Sequence, residues 1–200
     1  MGGRVAVLVS GSGTNLQALL DDPAVGTRVV LVVSDRADAY ALERARAREV
    51  ATKVLEPASF PDRAAHDQAV LAALRAADVD VVVLAGYLRL LAKAVLDAYP
   101  NRVLNVHPAL LPAFPGTHGV ADALAYGVKV TGVTVHLVDE GLDTGPVVLQ
   151  EAIEVRRDDT WATVEPRIHA LEHRLLPRAV RALLDGRLVV EGRHAWIEGE

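Results

Sequence analysis

The stretch VDVVVLAG at residues 79–86 constrains the fold of this chain more than any other. Its centre, VVVLA, is apolar at every position. A strand with one buried face alternates apolar and polar residues, so an unbroken apolar run belongs to a strand covered on both faces, as a central parallel strand is. The first half of the chain repeats the theme. Short β-branched runs alternate with Ala-rich helical stretches: RVAVLVS then NLQALL, RVVLVVS then AYALERARAR, ATKVL then DRAAHDQAVLAALRAA, and VDVVVLAG before another helix. That rhythm is βαβ, and right-handed crossovers carry its helices to both sides of a sheet. The expected fold class is α/β, with an open, mostly parallel, doubly wound sheet.

After RVLNVHPALLP the rhythm breaks into a Pro-rich loop that runs through Gly116. Beyond it, VKVTGVTVHLV and GPVVLQEAIEV read as two longer strands joined by the turn DEGLDTGP, which Gly145 and Pro146 punctuate. Parallel strands need a long crossover, so this short join predicts an antiparallel pair in the C-terminal half. From Thr160 to Asp185 apolar residues recur at helix spacing, Gly186 is a C-terminal stop, and RLVVEG adds a last short strand. The 200 residues suffice for one domain, 1–200, with a βαβ half at 1–100 and a second half at 101–200.

Composition narrows the function. The chain is 51% hydrophobic, but Ala and Val are spread among charged residues and no apolar run is long enough to cross a membrane. The opening MGGRVAVLVSG stops at glycines without a small-residue cleavage pattern, so it reads as a first strand and the cytoplasm is the expected location. With no cysteine there are no disulfides, no thiolate nucleophile and no Cys-ligated zinc. A net charge of -5, with 21 basic residues scattered among 26 acidic ones, argues against a nucleic-acid surface. A local pocket for one phosphorylated metabolite stays open.

Four motifs carry chemistry. In LVSGSGTNLQALL, backbone N–H groups of Gly13, Thr14 and Asn15 at a helix N-terminus suit an anion. The simpler reading is a glycine turn with Thr14 or Asn15 as N-cap. Leu16 stands where a dinucleotide fingerprint needs its third glycine, and no G-K-[ST] follows to make a nucleotide loop. Asp35 nevertheless lies where a ribose-binding acid would sit, which keeps an NAD-dependent dehydrogenase as an alternative. In NVHP, Asn105 and His107 alternate on an extended chain and share one face, an amide beside an imidazole. Such a pair can stabilise a developing oxyanion and pass a proton. Asp143, in the turn EGLDTGP, reads first as a turn residue; beside His107 it would raise the imidazole pKa and keep it a donor. Finally HALEH, residues 169–173, spells a zinc-binding pattern that also arises by chance on charged helices, and no metal is expected.

Taken together, SGSGTNLQALL, GYLRLL, NVHPALLPAFPG and VDEGLDTGPVVLQ resemble the phosphoribosylglycinamide formyltransferase family, the folate-dependent enzymes of purine biosynthesis, over nearly the whole chain and in order. The resemblance implies a Rossmann-like formyltransferase domain, with substrate phosphate held in the first half and folate and catalysis in the second. It implies transfer of a formyl group from the cosubstrate 10-formyltetrahydrofolate to the amine of glycinamide ribonucleotide. On matching motifs, Gly13, Thr14 and Asn15 would bind the phosphate, and the segment His169, Ala170, Leu171 and Glu172 would reach the ribosyl part. Arg63 would contact folate. Leu88, Arg89, Leu90 and Leu91 would line the pterin slot with Asn105 and the loop Asp139, Glu140, Gly141, Leu142 and Asp143. Asn105, His107 and Asp143 would be the catalytic trio. Thr14 replaces a frequent Ser and keeps the hydroxyl; Tyr87 stands where Phe is common. Small-molecule substrates are the expected partners, with no nucleic acid or membrane, and the chain is a monomer or a homodimer. Related tRNA formyltransferases need a further RNA-binding domain and formyltetrahydrofolate hydrolases an N-terminal regulatory one, so both are disfavoured by length. A non-catalytic metabolite-binding module is the remaining alternative.

Overall fold

The computed structural model describes residues 3–199, which form two compact units meeting between Leu104 and Asn105. The first unit contains β1 (Val5–Val9), α1 (Thr14–Asp21), β2 (Val29–Ser34), α2 (Ala41–Arg46), β3 (Ala51–Val54), α3 (Arg63–Ala76), β4 (Val81–Leu84) and α4 (Lys93–Ala98). Strand β5 (Val103–His107) carries the boundary. The second unit continues with α5 (Gly119–Tyr126), β6 (Val130–Leu137), β7 (Val147–Glu154), α6 (Trp161–Leu184), β8 (Leu188–Glu191) and β9 (His194–Ile197). Among the described residues the main sheet has seven strands in the order β3-β2-β1-β4-β5-β6-β7.

In the first unit β1 is parallel to both β2 and β4, and β2 to β3. Every residue of β1 and β4 is buried, as the unbroken apolar run of β4 predicts for a strand covered on both faces. On α3, His66, Val70, Leu71, Ala73 and Leu74 turn inward at helical spacing while Arg63, Gln68 and Arg75 stay exposed. From β1 the chain order runs outward through β2 to β3 on one side and begins again at β4 on the other. Parallel sheets leave a crevice beyond their strand ends at such a reversal.

In the second unit β6 and β7 pair antiparallel, as the short turn between them requires. Helix α6 packs on both and buries Val164, Ile168, Leu171, Leu175, Ala179 and Ala182, a stripe at steps of three and four. Thr160 and Thr163 close a reciprocal capping box at its start, and Gly186, in the left-handed region at φ 71, follows its end. Two elements were not legible in the sequence. Helix α5 fills part of what reads as irregular chain, ending on Gly127 at φ 81. Strand β9 pairs with β8 in a separate two-stranded sheet and touches β7, where the sequence suggests one isolated strand.

The turn between β6 and β7 depends on close backbone approach. Gly145 is buried, and a Cβ there would overlap the Leu137 carbonyl and lie 3.3 Å from Asp139 N. We expect Gly145→Ala to cost about 1–3 kcal/mol by overpacking and to lower the thermal midpoint by several degrees. A melting curve matching the parent protein would mean that the turn yields freely.

Candidate active site

In the first unit the loops that follow β1 and β4 lie side by side at the order reversal. Ser10 N–H donates to the Gly86 carbonyl at 3.1 Å, and Leu88 N–H donates to Ser10 Oγ at 3.1 Å. The β1 loop enters α1 through Gly13, whose φ of 72 lies in the left-handed region and which makes no side-chain cap. Neither Thr14 nor Asn15 is therefore the N-cap: both are the first residues of the helix itself. The amides of Thr14, Asn15 and Leu16 precede the first intrahelical bond, Gln17 N–H to Gly13 O at 2.9 Å. On the β4 side Leu88 and Leu90 are 61% and 51% exposed, while Arg89 and Leu91 are half-buried. Arg63, the first residue of α3, donates to the Leu90 carbonyl at 3.3 Å and approaches Asp67 at 3.5 Å. Arg63 and the Leu88–Leu91 loop, distant in sequence, are neighbours in space.

In the second unit Asn105, His107 and Asp143 form a cluster in which His107 is buried and the other two are half-buried. Asn105 and His107 reach the same carboxylate, as their alternation on β5 predicts: Asn105 Nδ2 lies 3.4 Å from Asp143 Oδ1 and His107 Nδ1 lies 3.5 Å from Oδ2. Asp143 sits at φ 53, a left-handed conformation that a short polar side chain tolerates in a turn. Its loop is cinched by Asp139, whose Oδ1 accepts from Gly141 N–H at 3.1 Å and from Thr144 Oγ1 at 2.6 Å. Gly116 N–H donates to Asp143 Oδ2 at 2.7 Å and draws the Pro-rich loop onto the same carboxylate. That loop is held from below by Thr134, whose Oγ1 accepts from Leu111 N–H at 3.1 Å and donates to the Ala109 carbonyl at 2.7 Å.

A fourth member, His136, was not singled out from the sequence. It is 1% exposed, and its Nδ1–H donates to the Leu137 carbonyl at 2.9 Å. Its Nε2 lies 3.0 Å from Asn105 Nδ2 and 3.6 Å from Asp143 Oδ1. The available signal was alternation in VTVHLV, which puts His136 on one strand face with Thr134.

The electrostatics differ from expectation in one respect. Burial pushes the His107 pKa below its ordinary 6.5, and this outweighs the Asp143 charge, which pulls it upward. His107 is thus neutral at pH 7. Its Nε2–H donates to the Phe114 carbonyl at 2.8 Å, leaving the Nδ1 lone pair towards Asp143. Burial alone would raise Asp143. The adjoining His136, the Gly116 hydrogen bond and the His107 imidazole more than offset it and hold the carboxyl below its ordinary 3.8.

On α6, His169 is half-buried, Ala170 exposed, and Leu171 and Glu172 buried. The rings of His169 and His173 stack 5.8 Å apart. Among the described residues no group of three or more His, Asp or Glu is gathered to hold a metal ion. No described helix is long and apolar enough to cross a membrane.

A mostly parallel sheet with a reversal-point loop in one unit and an Asn–His–Asp cluster in the other is the architecture of a group-transfer enzyme without a thiol nucleophile. The formyl transferase family model matches residues 3–180, and the chain belongs to that family. It is 50% identical over 195 residues to a phosphoribosylglycinamide formyltransferase of Mycobacterium tuberculosis, covering 96% of this chain and 90% of the relative. A Bacillus subtilis protein of the same name is 44% identical over 184 residues, or 90% and 94% of the two chains. The crystal structure of glycinamide ribonucleotide transformylase 1 from Symbiobacterium toebii superposes with a TM-score of 0.94 at 52% identity, covering 98% of this chain and 94% of that one.

The His107 shift has a measurable sign. An imidazole whose folded pKa lies below 6.5 binds its proton more readily in the unfolded chain, so stability falls as pH drops from 6.5 towards the folded value. Thermal melts between about pH 7.5 and pH 5 should show this acid loss, and His107→Gln should lessen it. Identical pH slopes for the two proteins would remove His107 as its source.

Proposed function

We propose that the chain transfers a formyl group from 10-formyltetrahydrofolate to the amine of glycinamide ribonucleotide, giving formylglycinamide ribonucleotide and tetrahydrofolate. Family membership supports the reaction class, and the relatives' names support this pair of substrates. The observation that carries the assignment of residues is the half-buried carboxylate of Asp143, ionised at neutral pH and faced by both Asn105 Nδ2 and His107 Nδ1.

In this reading both units belong to one formyltransferase domain. Gly13, Thr14 and Asn15 bind the substrate phosphate through main-chain amides, and His169 to Glu172 serve the ribosyl part. Leu88 and Leu90 offer an exposed apolar surface and Arg63 a cation beside it, which suits a molecule with a flat ring system at one end and carboxylates at the other. Arg89, Leu91 and the Asp139–Asp143 loop complete the folate contacts.

The amine attacks the formyl carbon, and the formyl oxygen takes up negative charge. Asn105 Nδ2–H and His107 Nε2–H are the donors for that oxygen; the imidazole can donate while neutral, once its N–H exchanges the Phe114 carbonyl for the substrate. Asp143 accepts the proton lost by the amine, directly or through water, and stabilises positive charge reaching His107. The proton then passes to the folate nitrogen as the bond between carbon and that nitrogen breaks. One carbon–nitrogen bond forms, another breaks, and a proton moves between the two nitrogens.

A spectrophotometric assay of folate release tests the reading. Release should require both 10-formyltetrahydrofolate and glycinamide ribonucleotide; release without the ribonucleotide would make the chain a hydrolase. His107→Ala and Asp143→Asn should each lower turnover on the order of a hundred- to a thousandfold while phosphate-ligand binding persists. Near-normal turnover in either purified variant would take that residue out of the mechanism.

A further inference from the structure

Helix α2 grips the β1 loop by its carbonyl groups. Ala41 N–H donates to the Gly11 carbonyl at 3.1 Å, and Arg44 Nε–H donates to the Ser12 carbonyl at 2.9 Å. The same guanidinium donates through Nη1 to Gln17 Oε1 at 3.1 Å and lies 5.0 Å from the centre of the Tyr40 ring. Gln17 in turn donates to Asp21 at 3.0 Å, and Arg48 pairs with Asp21 one turn further along. Gly13 allows the approach: a Cβ there would stand 2.5 Å from Ala41 Cβ and 3.4 Å from Arg44 Cδ.

A trans peptide is planar, with its carbonyl and N–H pointing in opposite directions. Tying the Gly11 and Ser12 carbonyls to α2 therefore turns the following N–H groups, those of Ser12 and Gly13, away from α2. They continue into the first-turn amides of α1, so a run of donors faces one way, the arrangement that binds an anion. The Arg44 bond ties the Ser12 carbonyl directly, and glycine on its far side is the residue least able to fix that peptide by itself.

We propose that Arg44 is a positioning residue for the phosphate loop: its two-pronged hold on Ser12 and Gln17 sets the Ser12–Gly13 peptide with its N–H towards the substrate phosphate. This rests on the assignment of that loop to the phosphate of glycinamide ribonucleotide. The guanidinium is suited to the task because its fixed fork spans a main-chain carbonyl and a side-chain amide at once, which a lysine ammonium on a flexible stem does not reproduce.

The test compares the parent enzyme with Arg44→Ala and Arg44→Lys, each checked for an intact circular dichroism spectrum, using glycinamide ribonucleotide and its dephosphorylated riboside as acceptors. Arg44→Ala should raise KM for the ribonucleotide on the order of tenfold, with kcat and the KM for 10-formyltetrahydrofolate within about twofold. The preference for phosphorylated over dephosphorylated acceptor should fall by a similar factor. Arg44→Lys should retain most of the defect. Full rescue by lysine would reduce Arg44 to a point charge and overturn the proposal, as would an unchanged KM or an equal loss for both acceptors. Parent enzyme that turns over the ribonucleotide alongside any of those results leaves the formyl-transfer reading standing; parent enzyme inactive on it removes both.

Discussion

A carboxylate drawn partly out of water must be given donors or lose its charge, and in the second unit Asp143 is given them by two separate segments. Gly116 N–H comes from the Pro-rich loop and Asn105 Nδ2–H from the end of β5, with the imidazoles of His107 on β5 and His136 on β6 set beside the same carboxylate. Each needs its own support. Thr134 pins the chain around Ala109 and Leu111, Asp139 cinches the turn, and Gly145 lets that turn lie against the Leu137 carbonyl. The cluster is thus a demand for hydrogen bonds met by loops that would otherwise have no reason to meet. His107 is neutral beside Asp143: the imidazole is itself buried, and its desolvation exceeds the pull of one neighbouring charge.

The first unit solves a different problem with main-chain groups. The phosphate loop proposed there needs several amides aimed together, and amides cannot be aimed one by one because each is locked to the carbonyl behind it. The structure controls the carbonyls instead. Helix α2 takes those of Gly11 and Ser12, and glycine at position 13 supplies both the left-handed backbone and the closeness to Ala41. The β4 loop is joined to this arrangement through Ser10, which binds Gly86 with its main chain and Leu88 with its hydroxyl.

Much of this was legible in the chain. The unbroken run VVVLA announced a strand buried on both faces, the turn DEGLDTGP an antiparallel pair, and the Asn-x-His alternation a shared face, because each follows from the geometry of a few adjacent residues. Helix α5 was not, since eight residues between a Pro-rich loop and a strand are too few for periodicity to speak. His136 was missed for a related reason: one histidine in an apolar strand reads as core until its neighbours are known.

By itself, then, the sequence determined the alternation of strands and helices, the absence of thiol chemistry, and the positions of glycines, an amide, an imidazole and an acid at strand ends and turns. Those are local properties, set by backbone stereochemistry and side-chain type. Tertiary structure alone decided which groups share a carboxylate, which nitrogen of His107 carries its proton, and that its pKa falls although an acid stands beside it. Protonation is a balance between desolvation and charge summed over everything nearby, and no stretch of chain contains that sum.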